Sequence, residues 1–426
     1  MLLLGHCRGI HVATLASMLE GEGHEVRILA SDGAESFGDG GGNLARIITL
    51  PSNQAVNFLH SLRYYVLGRV TINQLVLHCG WIERIQRLTN FAVSTSFSLN
   101  PRKSYKLSLS RPLWELQNKL RIKLFFREFD VCHLHYMAPQ FSSLVDSMDV
   151  GTPLVVSIWG SDLLRIAGLE SHIEQSKIIE RADAITICSL EMREILLAKF
   201  GRHLQEKISE TQFASGIVRH IDTVDNDTKA AFARKYNLLG DRKVICVGHN
   251  SFRENQQLAV LNQLANTDTN LLKSHQLVIP ATYGTNDQHL PELKTAANRT
   301  GFHCVFLEDE LTPEEVAALR VLTSVMIHVP VSDAMSAAMT EVLYAGNQVI
   351  AGAWLPYGEL HRRELKITQV KSLQEVVPAL EKIVNCTQAD IPGPNKENTA
   401  ATKLGDLVHW DQAYPAWRSV YEEVTK

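Results

Sequence analysis

Val325 to Val329 reads as a buried strand closed by Pro330, followed by a loop that carries the carboxylate Asp333 and then by a segment of different character. Ser336 is a good N-cap, Ala337 to Ala345 is rich in helix formers, and Gly346 stands where a residue of positive φ ends a helix. Another strand-like run then reaches Gly352. A buried strand that feeds through a loop into a capped helix and back into a strand belongs to a parallel sheet with helices laid on its faces. The unit also has chemical content. A helix starting just after Asp333 offers free amides near Ala337 and Ala338, and with the helix dipole these can hold phosphate oxygens. Glu341 lies four residues after Ala337 and so faces the same side, where a carboxylate beside a phosphate binds hydroxyls rather than charge.

At 426 residues the chain has room for two domains of roughly 200 residues each, and 45% hydrophobic with 21% charged residues is ordinary for a globular protein. A formal net charge of -4 argues against a nucleic-acid partner, which would call for a basic domain. The seven cysteines are widely spaced, without a C-x-x-C pair or a Cys/His cluster, the pattern of buried thiols in a reducing compartment and not of a zinc site. No signal-peptide pattern and no apolar stretch of about 18 residues is visible, so the expectation is a cytoplasmic protein, with peripheral contact to the inner face of the membrane as an added expectation. The N-x-S/T triplets at Asn226, Asn298 and Asn385 are then chance matches.

In chain order, Leu2 to Gly5, a loop with Gly9, Ile10 to Glu22 and Gly23 to Ala30 read as a first βαβ unit. Residues 54–126 interrupt the rhythm. Within them Arg102 to Arg127 carries eight Lys or Arg against one acid, Glu115, with Trp114, Leu116, Leu120, Leu124 and Phe125 interleaved. Such a segment is either a solvated helix face packed on the domain or a basic amphipathic helix for an anionic membrane surface and a lipid-linked acceptor. Phe129 to His135 reads as a strand ending in a loop, which puts His135 at the crevice where open α/β sheets bind ligands. Thr152 to Asp162 is the next strand and turn, where Asp162 orients an acceptor or caps the turn. Lys207 to Gly216 is a further strand, and a junction is expected near Gly216 to Asp227.

The second array starts at Lys243 to Gly248. The small and polar loop that follows, with Asn250, Ser251 and Arg253, opens a helix and suits a diphosphate. Gln276 to Pro280 leads to Tyr283 and Gly284, where a base can stack, and Leu311 precedes a capping box, Thr312 with Glu315, with Pro313 at the first helical position. Leu407 to Val424 reads as a terminal amphipathic helix. No repeat of solenoid period is present. The organisation expected is α/β: two doubly wound, Rossmann-like domains facing a cleft, residues 1–220 with the insert and residues 221–405, with 406–426 packing back toward the first.

Asp333, seven residues, Glu341, with small residues between them and Ala-Gly after, resembles the E-x7-E motif of GT-B glycosyltransferases, especially the group 1 (family 4) enzymes that use nucleotide sugars. "DVCHLHY" from Asp130 is similar to that family's D-x-x-H-x-H, Trp159-Gly-Ser-Asp162 to its H-G-x-D, and Ala182 to Ser189 to its "ADAxIxxS". By resemblance Glu341 holds the ribose hydroxyls, Asp333 contacts the transferred sugar and His135 lies beside it. Gly9 and His11 meet acceptor and donor phosphates, and Glu308 to Leu311 meet the base through backbone groups. There are departures. The first acid is shorter by a methylene, Trp159 replaces His, and His249 and Arg253 stand where an Arg and a Lys are usual. "VGHNSFREN" is nearer to the N-acetylfucosaminyl transferases of common-antigen synthesis.

The resemblance implies transfer of a sugar from a nucleotide-diphosphate donor, of UDP, GDP or another base, to a sugar, lipid-linked or protein acceptor in bacterial cell-surface glycoconjugate synthesis, with retention of anomeric configuration. If His135 or Asp162 is a base, inversion is the alternative. Arg253 and the helix amides at Ser336 and Ala337 meet the leaving charge, and no metal or cofactor is required by this reading. A nucleotide-sugar epimerase of the same architecture and a non-catalytic sugar- or nucleotide-binding protein are the competing readings.

Overall fold

The computed structural model describes residues 1–5, 10–30, 46–49, 123–265, 267, 269–284, 288–385 and 399–426. Gly9 and nearly all of the insert at 54–126 lie outside them. Two sheets of parallel strands organise the rest. The first contains β1 (Leu2–Gly5), β2 (Arg27–Ala30), β3 (Arg46–Thr49), β4 (Cys132–His135), β5 (Leu154–Ser157), β6 (Ala184–Ile187) and β7 (Ile208–Glu210), in the spatial order β3-β2-β1-β4-β5-β6-β7. The second contains β8 (Lys243–Val247), β9 (His275–Pro280), β10 (Cys304–Leu307), β11 (Thr323–His328), β12 (Gln348–Gly352) and β13 (Thr368–Val370), in the order β10-β9-β8-β11-β12-β13. Each sheet therefore winds outward from its first strand and then reverses, between β1 and β4 in one and between β8 and β11 in the other. In doubly wound sheets the crevice at the carboxyl ends of the strands beside such a reversal takes the ligand.

Sequence and structure agree on these elements for a simple reason. Every residue of β4, β5, β6 and β9 is buried, so these strands are mostly apolar on both faces, broken by His133 and His135 in β4 and by His275 and Gln276 in β9. The capping box of Thr312 and Glu315 is formed, and Ser336 caps the Ala337–Tyr344 helix through the Met339 amide. Several boundaries differ from the sequence reading: the strand expected over Lys207 to Gly216 is only Ile208–Glu210, the one expected from Phe129 starts at Cys132, and two further differences have a visible cause. β2 begins at Arg27, because Gly23, at φ 93°, and His24 turn back to the carbonyls of Glu20 and Leu19 and finish the preceding helix. The single helix expected over Leu407–Val424 is two, Ala400–Val408 and Trp410–Val424, broken by extended backbone at His409. The break leaves the Val408 carbonyl to accept from the Ser215 amide at 2.9 Å, so the two places where the chain passes between the sheets are bonded to each other.

The Trp410–Val424 helix lies on the first sheet. Its Trp410, Tyr414, Trp417 and Tyr421 share a core with Val12, Leu15, Leu19, Val131 and Val155. Trp417 is fully buried and its indole N–H donates to the Gln212 carbonyl at 2.8 Å. His133, interior to β4, links the Tyr421 hydroxyl (2.8 Å) to the Ser157 hydroxyl (2.6 Å), which meets Thr186 at 2.5 Å. Tyr421→Phe strands a buried imidazole nitrogen and is expected to cost about 1–3 kcal/mol in urea unfolding; a cost under about 0.5 kcal/mol would deny the network a role in docking this helix.

Lys123 and Arg127, the described bases of the basic stretch, both pair with Asp149, at 3.2 and 3.0 Å. Among the described residues no helix is long and apolar enough to cross a membrane, and Cys132, Cys188, Cys246 and Cys304 are free thiols.

Candidate functional site

On the first sheet, His135 ends β4 beside the reversal. It is fully buried, its ring lies 3.8 Å from that of His133 and about 6 Å from Trp159 and Phe213, and neither ring nitrogen has a hydrogen-bond partner among the described residues. Burial drives its pKa down to about 3, so it is a neutral imidazole at physiological pH. The Trp159 indole N–H, in the turn after β5, is also buried without a partner. His11, from the Ile10–Gly21 helix, is tied to the Ala214 carbonyl at 2.9 Å. Asp162 is buried, and its carboxylate accepts from the amides of Met137, Trp159, Gly160 and Leu163 at 2.8–3.1 Å. Burial pushes this carboxyl above its ordinary value while the four amides pull the other way. Asp162 thus shapes the turn that presents Trp159.

On the second sheet the loop after β8 opens with Gly248 at φ 69° and His249. Burial first, then the nearby charges of His328, Arg320 and Arg165, drive His249 down to about 3 against the opposing pull of Asp333, and its Nδ1 has no partner. Asn250 and Ser251 are buried and rigidify this loop: Asn250 Oδ1 accepts from the Phe252 amide at 3.0 Å and from Asn255, and Ser251 bonds the Tyr283 carbonyl at 2.9 Å. Tyr283 itself is exposed, with its ring edge-on to Phe252. Arg253 is about half-exposed and pairs with Glu292 at 3.1 Å. Glu308 is exposed and pairs with Lys294 at 2.7 Å, and Leu311 packs partly buried against the core of that end.

β11 ends at His328, whose Nε2 lies 2.9 Å from the Tyr357 hydroxyl and 3.4 Å from Asp333 Oδ2; the tyrosine donates to the same Oδ2 at 2.5 Å. Burial alone would raise the Asp333 carboxyl, but the hydrogen bonds with His328 and Tyr357 outweigh it and hold the group below its ordinary value. Burial and the Asp333 charge push Tyr357 well up, so it remains a donor. Ser336 takes the Met339 amide, leaving the amides of Ala337 and Ala338 without an acceptor among the described residues. One turn on, Glu341 is buried, accepting from Arg320 Nε at 2.8 Å and from the Ser215 hydroxyl at 2.6 Å.

The two sets of residues meet. Gly160, at φ 109°, lies so close to Ala334 that an added Cβ would stand 2.6 Å from the alanine Cβ. Around this point Arg165 reaches Ser332, Ser215 reaches Glu341, and Arg362 pairs with Glu191 through both nitrogens. Gly160→Ala is expected to cost about 1–3 kcal/mol through backbone strain and this clash, measured by urea unfolding; a cost under about 0.5 kcal/mol would mean the sheets do not need to approach so closely. Six of the ten buried side-chain nitrogens and oxygens without a partner among the described residues belong to His135, Trp159, His249 and His328, at carboxyl ends of strands or in the turns that follow them, and to Gln257, at the start of the helix after the β8 loop. Orphaned buried polar atoms are rare in folded proteins, and their concentration here is that of a site shaped for a polar ligand. Among the described residues no group of three His, Cys, Asp or Glu side chains is placed to hold a metal ion.

The fold is that of the GT-B glycosyltransferases. A glycosyltransferase from Rickettsia africae superposes with a TM-score of 0.65 at 12% identity, covering 100% of this chain and 98% of that one. Sucrose-phosphate synthase from Thermosynechococcus elongatus gives 0.64 at 13% identity, covering 99% and 98%. WaaG, a glycosyltransferase involved in lipopolysaccharide biosynthesis, gives 0.59 at 13%, covering 99% and 98%. No family model matches the sequence, and no curated protein does.

The sequence reading had named His135, Asp333 and Glu341 but missed their partners Tyr357, His328, Arg320 and Ser215. His328 was within reach: a histidine at the carboxyl end of a central strand carries the same signal that singled out His135. Arg320 and Ser215 carry no such signal, since only the tertiary packing brings them to Glu341.

Proposed function

We propose that this protein transfers a glycosyl unit from a nucleotide-diphosphate sugar to an acceptor. The observation that carries this is the contact of Gly160, in the turn after β5, with Ala334, in the loop after β11, next to the two strand-order reversals and with unpartnered buried donors and acceptors on both sides. In this reading the diphosphate lies on the loop of Asn250, Ser251 and Arg253 and on the amides of Ala337 and Ala338. The ribose hydroxyls donate to the lone pairs of Glu341 that Arg320 and Ser215 leave free, and the base lies against Tyr283 and the backbone of Glu308 to Leu311. Asp333, steadied by Tyr357, accepts from a hydroxyl of the transferred sugar, beside His135. The acceptor enters past Gly9, His11 and the turn held by Asp162.

As the diphosphate leaves, negative charge grows on its bridging oxygen, and donors already fixed in the crevice stabilise it without reorganising. Alignment of the acceptor supplies much of the remaining rate, with configuration retained. The part of WaaG in lipopolysaccharide biosynthesis supports a cell-surface glycoconjugate as the acceptor class, assembled at the cytoplasmic face of the membrane. Incubation with a panel of UDP-, GDP-, ADP- and dTDP-sugars, with and without lipid-linked and oligosaccharide acceptors, tests the proposal. Release of a free nucleoside diphosphate, faster with one acceptor, is expected; release from none of the donors rejects it, and interconversion of donor sugars without release identifies an epimerase instead.

A further inference from the structure

A donor diphosphate needs concentrated positive charge, and the cations that the second sheet offers are shared with carboxylates or held neutral. Arg253 faces Glu292 at 3.1 Å, Arg320 is bonded to Glu341 at 2.8 Å, and His249 is held neutral by burial. Arg165 differs from these. It follows the short Ser161–Leu164 helix of the first half of the chain, directly after the turn fixed by Asp162, and it makes no ion pair with a carboxylate among the described residues. Its Nε donates to the Ser332 hydroxyl at 2.9 Å and its Nη2 to the Ser332 carbonyl at 2.6 Å. The guanidinium thus sits beside the loop that continues through Asp333 to the free amides of Ala337 and Ala338. Its charge is felt at His249, on the facing loop after β8.

Resting on the glycosyl-transfer reading above, we propose that Arg165 is the residue of the first half that meets the donor diphosphate across the contact between the two halves. In the transfer step the bond from the anomeric carbon to the diphosphate oxygen breaks, with its electron pair staying on that oxygen. The acceptor hydroxyl forms the new bond and its proton passes to the departing diphosphate. Arg165 stabilises the charge that grows on the oxygen. It does so from the other half of the chain than the residues that bind the nucleotide, across the contact between Gly160 and Ala334.

The test uses the full-length protein and the nucleotide sugar that the parent cleaves, and compares Arg165→Ala and Arg165→Lys with the parent. The kcat for release of nucleoside diphosphate and the Kd of the corresponding free diphosphate (UDP, GDP, ADP or dTDP) are measured, with thermal unfolding as a check on folding. Arg165→Ala should lower kcat by roughly 10²-fold while Kd rises by less than about fivefold. Arg165→Lys should recover part of the loss, since it keeps the charge but not the fork, and added guanidinium ion should partly rescue the alanine variant. A kcat within about threefold of the parent overturns the proposal, as does a loss that neither lysine nor guanidinium relieves and that follows a lowered unfolding temperature. If the parent itself releases no diphosphate, the glycosyl-transfer reading fails and this inference with it; an active parent with an unaffected Arg165→Ala variant removes the inference alone.

Discussion

Glu341→Ala is expected to lower folding stability by about 3–5 kcal/mol, because it leaves the Arg320 guanidinium buried without its counter-charge. The pair is desolvated, with side-chain exposure of 10% and 6%, and the remaining carboxylate oxygen accepts from Ser215. Breaking such a pair from one side costs more than removing it whole. Arg320→Met with Glu341→Leu, an apolar pair of similar volume, should therefore return stability to within about 1 kcal/mol of the parent. The two variants separate holding the fold from holding the nucleotide. If Glu341 also binds ribose, both should weaken nucleoside diphosphate binding by roughly ten- to a hundredfold, the loss of a charge-assisted hydrogen bond. Urea unfolding reads the first effect and titration calorimetry the second. A stability loss under about 1 kcal/mol for Glu341→Ala would show that the Arg320 charge finds water or another partner, and an unchanged Kd in the double variant would remove Glu341 from the ribose site.

Acidification should destabilise the protein steeply between pH 6.5 and pH 5. His135 and His249 are both held at about 3 in the folded state, against an ordinary value of 6.5. Below that ordinary value the unfolded chain binds two protons that the folded chain does not, so stability rises with pH in this window and falls as acid is added. Each histidine contributes about 1.4 kcal/mol per pH unit once the unfolded form is fully protonated, and the two together about 3 kcal/mol over this interval. That is a large share of the roughly 5–15 kcal/mol typical of a folded domain. His133, well below its ordinary value, and His11, lowered, act in the same direction. The groups facing His249 are His328, Asp333, Arg320 and Arg165, while His135 is faced by His133, Trp159 and Phe213. Asp333, with its depressed carboxyl, loses its contribution only below about pH 4, and the raised Asp162 acts with opposite sign, softening the slope where it is protonated in the folded state alone. Urea unfolding at pH 7, 6 and 5 checks this. His135→Gln should flatten the slope by one proton, and a stability constant within about 1 kcal/mol across the range would contradict the buried neutral pair.

Much of the fold was legible because its signals are local. β5 and β6 announce themselves as largely apolar runs, and Thr312, Pro313, Ser336 and Gly346 mark helix ends through their own side chains or backbone freedom. The break at His409 was not legible, since extended backbone there depends on pairing with Ser215, far away in the chain. The candidate site divides in the same way. His135, Asp333 and Glu341 could be found from their places at strand and helix ends. Arg253 looked like the natural partner for a diphosphate on sequence alone, but Glu292 stands beside it in space. Asp162 was left between two roles, and the four amides around it account for its conformational one. Arg165 had no signal at all. It lies in no motif, and only the approach of Gly160 to Ala334 brings it to Ser332.

The helix of residues 410–424 covers a face of the first sheet that is synthesised long before it. Val12, Leu15, Leu19, Val131 and Val155 have all been made when β7 ends at Glu210, about 200 residues ahead of Trp410. At translation speeds of about 5–20 residues per second, that apolar face stays uncovered on the nascent chain for roughly 10–40 seconds. The half of the molecule that is made first is therefore finished last. During that interval the second sheet, whose strands are contiguous in sequence from β8 to β13, can complete its own core. The waiting first half is the part of the nascent chain that exposes apolar surface to holding chaperones.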